Sequence, residues 1–130
     1  MSVGGHQAAC AASCGGAMVH GITESMASVP AAELLPGYQG GGLPRDVLDV
    51  LSPRYMDGDA HLLHLCFRSW IVRTPRHVVL IDSCIGNDKE RPSFPPFHRL
   101  RTDFLPQLAA LGLAPEDIDF VCCTHLHADH

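Results

Sequence analysis

Charge and aromatic residues are both scarce in this sequence. Charged residues make up 18% of the 130 positions and aromatic residues 6%, whereas soluble domains usually carry roughly 25% charged residues. Hydrophobic residues reach 46%, which is too apolar for an intrinsically disordered chain. The length leaves room for one domain with a moderate core and excludes a second.

The sequence also lacks a basic excess and a long apolar run. Nine Lys and Arg stand against fourteen Asp and Glu, which gives a formal net charge of -5. No basic segment could neutralise several phosphates, so we expect no nucleic-acid partner. No apolar run approaches the roughly 20 residues that cross a bilayer, and the first residues lack the pattern of a secretory signal. We therefore expect a cytoplasmic protein without a membrane partner.

Histidine is abundant by comparison. The chain holds nine histidines, and three of them, His125, His127 and His130, fall within the last six residues. The six cysteines have no spacing typical of a small secreted domain, so we expect reduced thiols. The terminal histidine cluster is therefore the feature that points to chemistry.

The first half of the chain predicts little regular structure. Residues 1–21 are rich in Gly and Ala, and we expect a disordered tail there, followed by one partial domain over residues 22–130. Frequent Pro and Gly from residue 22 to 53 predict mostly loop. A short helix over residues 45–51 is the exception, because its apolar side chains share one face.

The second half predicts a hairpin, a long loop, a helix and a strand. Alternating apolar positions over residues 62–72 predict a strand, which a turn joins to a second strand at 77–82. The long connection at 83–101 carries Phe94 and Phe97, which either line a substrate mouth or pack beneath the loop. A helix is expected from Thr102 or Asp103 to Leu111, and residues 118–123 read as a buried strand.

The pattern His-x-His-x-Asp-His follows that strand directly. Side chains at positions 125 and 127 project to one side, so their imidazoles can share a metal ion, while Asp129 and His130 can reach a second ion a few ångströms away. Imidazole and carboxylate ligands without thiolate suit zinc, and iron or manganese less often. The pattern arises in roughly 0.3% of shuffled sequences of this composition, so chance is a poor explanation.

These residues resemble the signature of the metallo-β-lactamase-fold hydrolases. The likeness continues upstream, and it is similar to the branch that contains lactonases and organophosphate hydrolases, over the segments 70–73, 81–87, 89–92 and 115–119. The resemblance implies an α/β fold, with this chain forming the N-terminal half of an αββα sandwich. It also implies a dinuclear zinc hydrolase that uses metal-activated water on a lactone, another ester or a phosphotriester.

The resemblance assigns roles residue by residue. His125 and His127 would bind the first metal, and Asp129 and His130 the second, with Asp129 also orienting the nucleophile. Asp82 matches an acidic residue at the end of an early strand, where it either supports the metal site from behind or makes only local hydrogen bonds.

The chain stops at the signature, where the family's later ligands and the second half of its sandwich would follow. We therefore expect an incomplete fragment of a hydrolase that acts on a small molecule, and an exposed half-sandwich would tend to form homo-oligomers. Two alternatives stay open: a non-catalytic metal-binding or interaction fragment, and an iron-dependent redox relative. The redox branch usually carries Glu in place of His127, which favours hydrolysis.

Overall fold

A computed structural model describes residues 11–39, 43–57 and 61–130. They form a mixed α/β structure, as predicted. The strands are β1 (Ala11–Cys14), β2 (Ala17–Pro30), β3 (Met56–Asp57), β4 (Leu62–Arg73), β5 (Val78–Ile81) and β6 (Phe120–Cys122). The α-helices are α1 (Ala31–Leu34), α2 (Arg45–Leu51) and α3 (Phe104–Ala110), with single 3-10 turns at Pro95–Phe97 and Pro115–Asp117.

The chain divides into two compact units. Unit 1 contains the described residues up to Glu24 together with Phe67–His130, and unit 2 contains the described residues from Ser25 to Cys66. The terminal histidines belong to unit 1. Unit 1 is therefore the part of the molecule that bears on function.

Five of the described strands pair in the order β1-β2-β4-β5-β6. β4 and β5 pair antiparallel, with Trp70 opposite Ile81 and Arg73 opposite Val78. This pairing confirms the predicted hairpin. β5 and β6 pair parallel, with Ile81 opposite Cys122, so both strands deliver their following residues to the same edge of the sheet.

The core of unit 1 lies between the sheet and α3. Ile22, Ile71 and Leu80 from three strands pack in one cluster with Leu108 of α3 and with Leu113. Side chains three or four positions apart share one helix face, so the helix buries one apolar stripe on the sheet. The predicted helix is thus confirmed, and Gly112 ends it in a left-handed conformation with φ of 70°.

The N-terminal region differs from the expected disordered tail. Residues 11–14 pair antiparallel with residues 17–20. Gly15 and Gly16 connect them with positive φ angles of 55° and 83°, which glycine adopts without steric cost in tight hairpin turns. The prediction is therefore wrong for residues 11–21, while residues 1–10 lie outside the described part of the chain.

Residues 22–30 also differ from prediction, because they continue β2 instead of forming loop. Ile22 and Glu24 are buried with the period of two that strands produce. The alternation escapes sequence reasoning because many of the side chains on this strand are small or polar.

β6 is a strand as predicted but is exposed rather than buried. Val121 is 59% exposed and Phe120 is 52% exposed. Among the described strands β6 stands at the end of the sheet order and pairs only with β5. Its apolar sequence correctly indicates a strand, but no described element covers it.

Unit 2 contains two further histidines that the sequence places near a strand. His64 lies on β4, and its Nδ1 is 2.9 Å from the Ser28 hydroxyl. The Nδ1 of His61 is 2.7 Å from the Tyr38 hydroxyl. Both imidazoles therefore have local hydrogen-bond partners.

The helices of the described residues are short. α2 and α3 have seven residues each, and α1 has four. The α2 bounds confirm the helix predicted over residues 45–51. Within residues 11–39, 43–57 and 61–130, no helix has both the length and the apolar character to cross a membrane.

Candidate metal centre

The candidate site lies where β5 and β6 end side by side. Asp82 follows β5 directly, and Thr124 follows β6 after one residue. The backbone N–H of Asp82 donates to the carbonyl of Cys122 over 2.8 Å, which extends the pairing beyond β5. Because parallel strands bring their carboxyl ends to one edge, two segments far apart in sequence meet here.

Asp82 anchors the start of the histidine segment. The backbone N–H of Thr124 donates to Oδ1 of Asp82 over 2.7 Å, and the Thr124 hydroxyl lies 3.0 Å from Oδ2. Asp82 is 4% exposed, so these hydrogen bonds form in a desolvated environment where a lost partner is costly. The carboxylate therefore fixes where the chain turns off β6.

Asp82 also holds His130. The Nδ1 atom of His130 lies 3.0 Å from Oδ2 of Asp82. Burial by itself would raise the pKa of Asp82, but the hydrogen bonds from His130 and Thr124, together with the nearby imidazole charge, outweigh it and lower the pKa. The carboxylate is thus ionised at neutral pH. It can only accept hydrogen bonds, so Nδ1 of His130 is the donor in this contact.

Thr124 connects Asp82 to His125 through hydrogen bonds. Its single hydroxyl proton is donated to Asp82, so its oxygen acts as acceptor for Nδ1 of His125 at 3.1 Å. One buried carboxylate therefore contacts two imidazoles on their Nδ1 side, directly in His130 and through a hydroxyl in His125.

The remaining residues of the pattern lie in contact with these two. Nε2 of His125 is 3.2 Å from Nδ1 of His127, and the rings of His125 and His130 are 4.0 Å apart. Asp129 reaches His130 from the other side, with Oδ2 3.4 Å from Nε2. The structure thus brings together all five residues that the sequence singles out.

The donor set fits a zinc ion. Two nitrogens bound tetrahedrally at about 2.0–2.1 Å from one zinc lie roughly 3.3 Å apart, close to the separation between His125 and His127. Imidazole and carboxylate ligands without thiolate have the softness that zinc accepts. Within the described residues, however, no group of three or more His, Cys, Asp or Glu side chains is arranged to hold a metal ion.

The loop after Asp82 has an unusual backbone. Asp82 and Cys84 both have a positive φ of 59°, and Gly86 has one of 77°. Non-glycine residues rarely adopt this region without support from their surroundings. Cys84 is a buried, reduced cysteine whose Sγ lies 3.0 Å from the Ser69 hydroxyl.

Glu24 supplies further support and was missed by sequence reasoning. Its carboxylate is buried on β2 and accepts two backbone hydrogen bonds, from Ile85 at 2.7 Å and from Gly86 at 2.8 Å. Glu24 and Ile85 are sixty-one positions apart in the sequence, so no local sequence pattern predicts their contact. The only signal that the sequence offers is that Glu24 is the single Asp, Glu, Lys or Arg residue of β2.

We expect Glu24→Ala to destabilise the protein by about 2 kcal/mol, because two buried N–H groups lose a charged acceptor. Glu24→Gln keeps one acceptor oxygen and should cost about half as much. Glu33→Ala, at an exposed carboxylate, serves as the control and should change the free energy of unfolding by less than about 0.5 kcal/mol. Urea unfolding measures all three, and equal effects of Glu24→Ala and Glu33→Ala would contradict this role.

A cleft of about 480 Å³ opens beside the histidines. It is lined by residues 83–86, Lys89, Arg91, His127, Ala128 and His130. The loop that Glu24 supports therefore forms one wall of the cleft, and the histidine segment forms another.

Phe94 and Phe97 do not belong to this lining. Phe97 packs edge-on against Phe67 with ring centroids 5.5 Å apart, and Phe94 lies 4.6 Å from Phe97. These contacts favour packing beneath the loop for Phe97, whereas Phe94 is 50% exposed.

Comparison with protein families gives a match to the segment that contains the candidate centre. Residues 68–130 match the family described as the metallo-beta-lactamase superfamily. The segment includes Asp82 and all four residues of the terminal pattern, while Glu24 lies outside it. No curated protein sequence matches the chain significantly.

Three solved structures share the fold. A hydrolase named AbOPH, in the beta lactamase superfamily, has a TM-score of 0.63 at 20% identity, with 94% of this chain and 37% of that chain covered. A probable metal-dependent hydrolase from Staphylococcus aureus has a TM-score of 0.66 at 22% identity, over 92% and 41%. AidC, a dizinc quorum-quenching lactonase in complex with a product, has a TM-score of 0.67 at 18% identity, over 94% and 37%. The chain thus spans about two-fifths of the length of these structures.

Proposed function

We propose that the protein is a metal-dependent hydrolase with two zinc ions, because residues 68–130 match the metallo-beta-lactamase superfamily. The observation that carries this proposal is the meeting of His125, His127, Asp129 and His130 beside the ionised carboxylate of Asp82. A hydrolase of this kind can act on lactones, other esters and phosphotriesters. The lactonase activity named for AidC supports the first of these.

His125 and His127 would hold one ion, and Asp129 and His130 the other. When bound, zinc lowers the pKa of a coordinated water towards neutrality and polarises the substrate oxygen. Asp129 would accept a hydrogen bond from the attacking water and so orient it. Asp82 would take no part in bond making; it would hold His130, and through Thr124 His125, by Nδ1, so that Nε2 is the nitrogen that would face a metal ion.

The cleft beside the histidines provides room for the substrate. Backbone and side-chain atoms of residues 83–86 form its wall, and their positions depend on the hydrogen bonds from Ile85 and Gly86 to Glu24. A rigid wall holds the scissile group near the ligands, which converts part of the binding energy into correct orientation.

Metal analysis tests the proposal. In the natural polypeptide that carries this chain, purified without chelators after growth with zinc, we expect about two zinc ions per molecule. Hydrolysis of a lactone or a p-nitrophenyl ester should disappear after chelation and return when zinc is added. A folded, metal-free protein that hydrolyses these substrates at the same rate would contradict the assignment, and a preparation that holds iron and oxidises substrate would favour the redox alternative.

A further inference from the structure

The loop that borders the cleft carries four cationic side chains, and two of them are neutralised. Arg99 lies against Glu90, with its Nε 2.7 Å from the carboxylate. Arg101 pairs with Asp88 over 2.9 Å. Both pairs are exposed, and each uses one of the two carboxylates of this loop.

The other two cations, Lys89 and Arg91, line the cleft. Within residues 11–39, 43–57 and 61–130, neither forms an ion pair with a carboxylate. One guanidinium nitrogen of Arg91 donates to the carbonyl of Ile85 over 2.8 Å, which fixes the side chain at the wall and leaves its other N–H groups available. The stem of Lys89 lies beside Gly86, where an added Cβ would be 3.4 Å from Cε.

Three carboxylates around the cleft contact other groups, and one of them, Asp129, lies 3.4 Å from Nε2 of His130. Glu24 is occupied by two backbone N–H groups. Asp82 is occupied by Thr124 and His130. The cleft lining itself contains two cations and no carboxylate, in a chain whose formal net charge is -5.

We propose that Lys89 and Arg91 form a binding site for an oxyanion, a carboxylate or phosphate group that the substrate carries next to its scissile bond. This inference rests on the proposed hydrolytic function and adds the substrate class to it. A guanidinium and an ammonium group that line the same cleft can recognise such groups through charge-assisted hydrogen bonds. Their position beside His127 and His130 places the oxyanion within one small molecule's length of the proposed metal ligands.

Two matched esters test the proposal in the zinc-loaded natural polypeptide. In mono-p-nitrophenyl succinate a carboxylate takes the place of the terminal methyl group of p-nitrophenyl butyrate, so the pair differs in charge at constant length. We expect kcat/KM to be about tenfold higher for the succinate ester. Lys89→Gln should remove most of this preference by raising KM for the succinate ester, while kcat/KM for the butyrate ester stays within about twofold.

Arg76→Gln is the control, because it removes the same charge from the exposed turn between β4 and β5. It should leave the preference intact. If Lys89→Gln and Arg76→Gln reduce the preference for the succinate ester equally, the preference reflects the overall charge of the protein. That result would overturn the proposed site. Equal kcat/KM for the two esters in the unaltered protein would also overturn it, although hydrolysis itself would still stand.

Calorimetry supplies a measurement that does not depend on activity. Metal-free protein is titrated with monomethyl succinate and with inorganic phosphate, and Lys89→Gln should weaken the binding of whichever anion binds about tenfold. Tighter binding of monomethyl succinate assigns the site to a carboxylate, and tighter binding of phosphate assigns it to a phosphate group. Binding that Lys89→Gln leaves unchanged, or no binding of either anion, would overturn the proposal. Loss of hydrolysis of both esters alongside lysine-dependent anion binding would instead contradict the proposed function alone.

Discussion

His127→Ala should lower kcat/KM for hydrolysis about a thousandfold in the natural polypeptide that carries this chain. The substitution removes one of two nitrogens that lie 3.2 Å apart and would share a zinc ion. Metal-ion catalysis contributes several kcal/mol to transition-state stabilisation, and each 1.36 kcal/mol corresponds to a factor of ten. Zinc content should fall together with activity, from about two ions per molecule to about one or fewer.

His64→Ala provides the comparison. His64 has the same side chain and a hydrogen bond to Ser28, but it lies in unit 2, outside the terminal pattern. Its replacement should change kcat/KM by less than about threefold and leave zinc content unchanged. Circular dichroism establishes that both variants are folded. Similar small losses in two folded variants would show that the metal centre is not at residues 125–130.

Asp82→Ala should lower the free energy of unfolding by about 4 kcal/mol and the melting temperature by roughly 10 °C or more. It strips the acceptor from the backbone N–H and the hydroxyl of Thr124, and from Nδ1 of His130. Removing one member of a buried charged network costs more than losing an exposed pair, because the remaining polar groups have no water to replace it. Thermal unfolding followed by circular dichroism measures the effect.

Asp88→Ala is a closely matched control. Asp88 also has a positive φ, 55° against 59° for Asp82, so alanine meets similar backbone strain at both positions. Its carboxylate is paired with Arg101 at the surface, where an ion pair contributes about 0–1 kcal/mol. The difference between the two variants therefore isolates the buried hydrogen bonds. A difference below about 1 kcal/mol would contradict the anchoring role of Asp82.

The features that sequence reasoning predicted correctly are those that depend on neighbouring residues. The β4–β5 hairpin follows from alternating apolar positions joined by a short turn, and α3 follows from one apolar face ended by Gly112. The proposed metal ligands lie within six consecutive residues, so their spacing alone brings them close. Asp82 was expected near the site because the family resemblance matches it to an acidic residue at the end of an early strand.

The errors fall where a segment's partner is distant. The sequence of β2 predicts a loop because its side chains are small and polar, and only pairing with other strands gives it regular structure. The turn at Gly15 and Gly16 is predicted as part of a flexible tail because the strands that it joins also depend on pairing. The sequence predicts a buried β6 because its residues are apolar. An apolar strand is expected to pack under another element, but its sequence does not identify that element.

The sequence by itself determined the types and order of the proposed ligands, because His-x-His-x-Asp-His is a local pattern whose chemistry is that of its side chains. Tertiary structure alone decided how those side chains are held. The parallel pairing of β5 and β6 brings Asp82 to Thr124 and His130, which orients the histidine segment, and β2 brings Glu24 to a loop sixty-one residues away. It also decided which loop cations face the cleft, since Arg99 and Arg101 are neutralised by neighbours while Lys89 and Arg91 are not. Buried carboxylates and the ends of parallel strands contact residues that are distant in sequence. The sequence gives the identity of each side chain but does not show which distant residues lie close together.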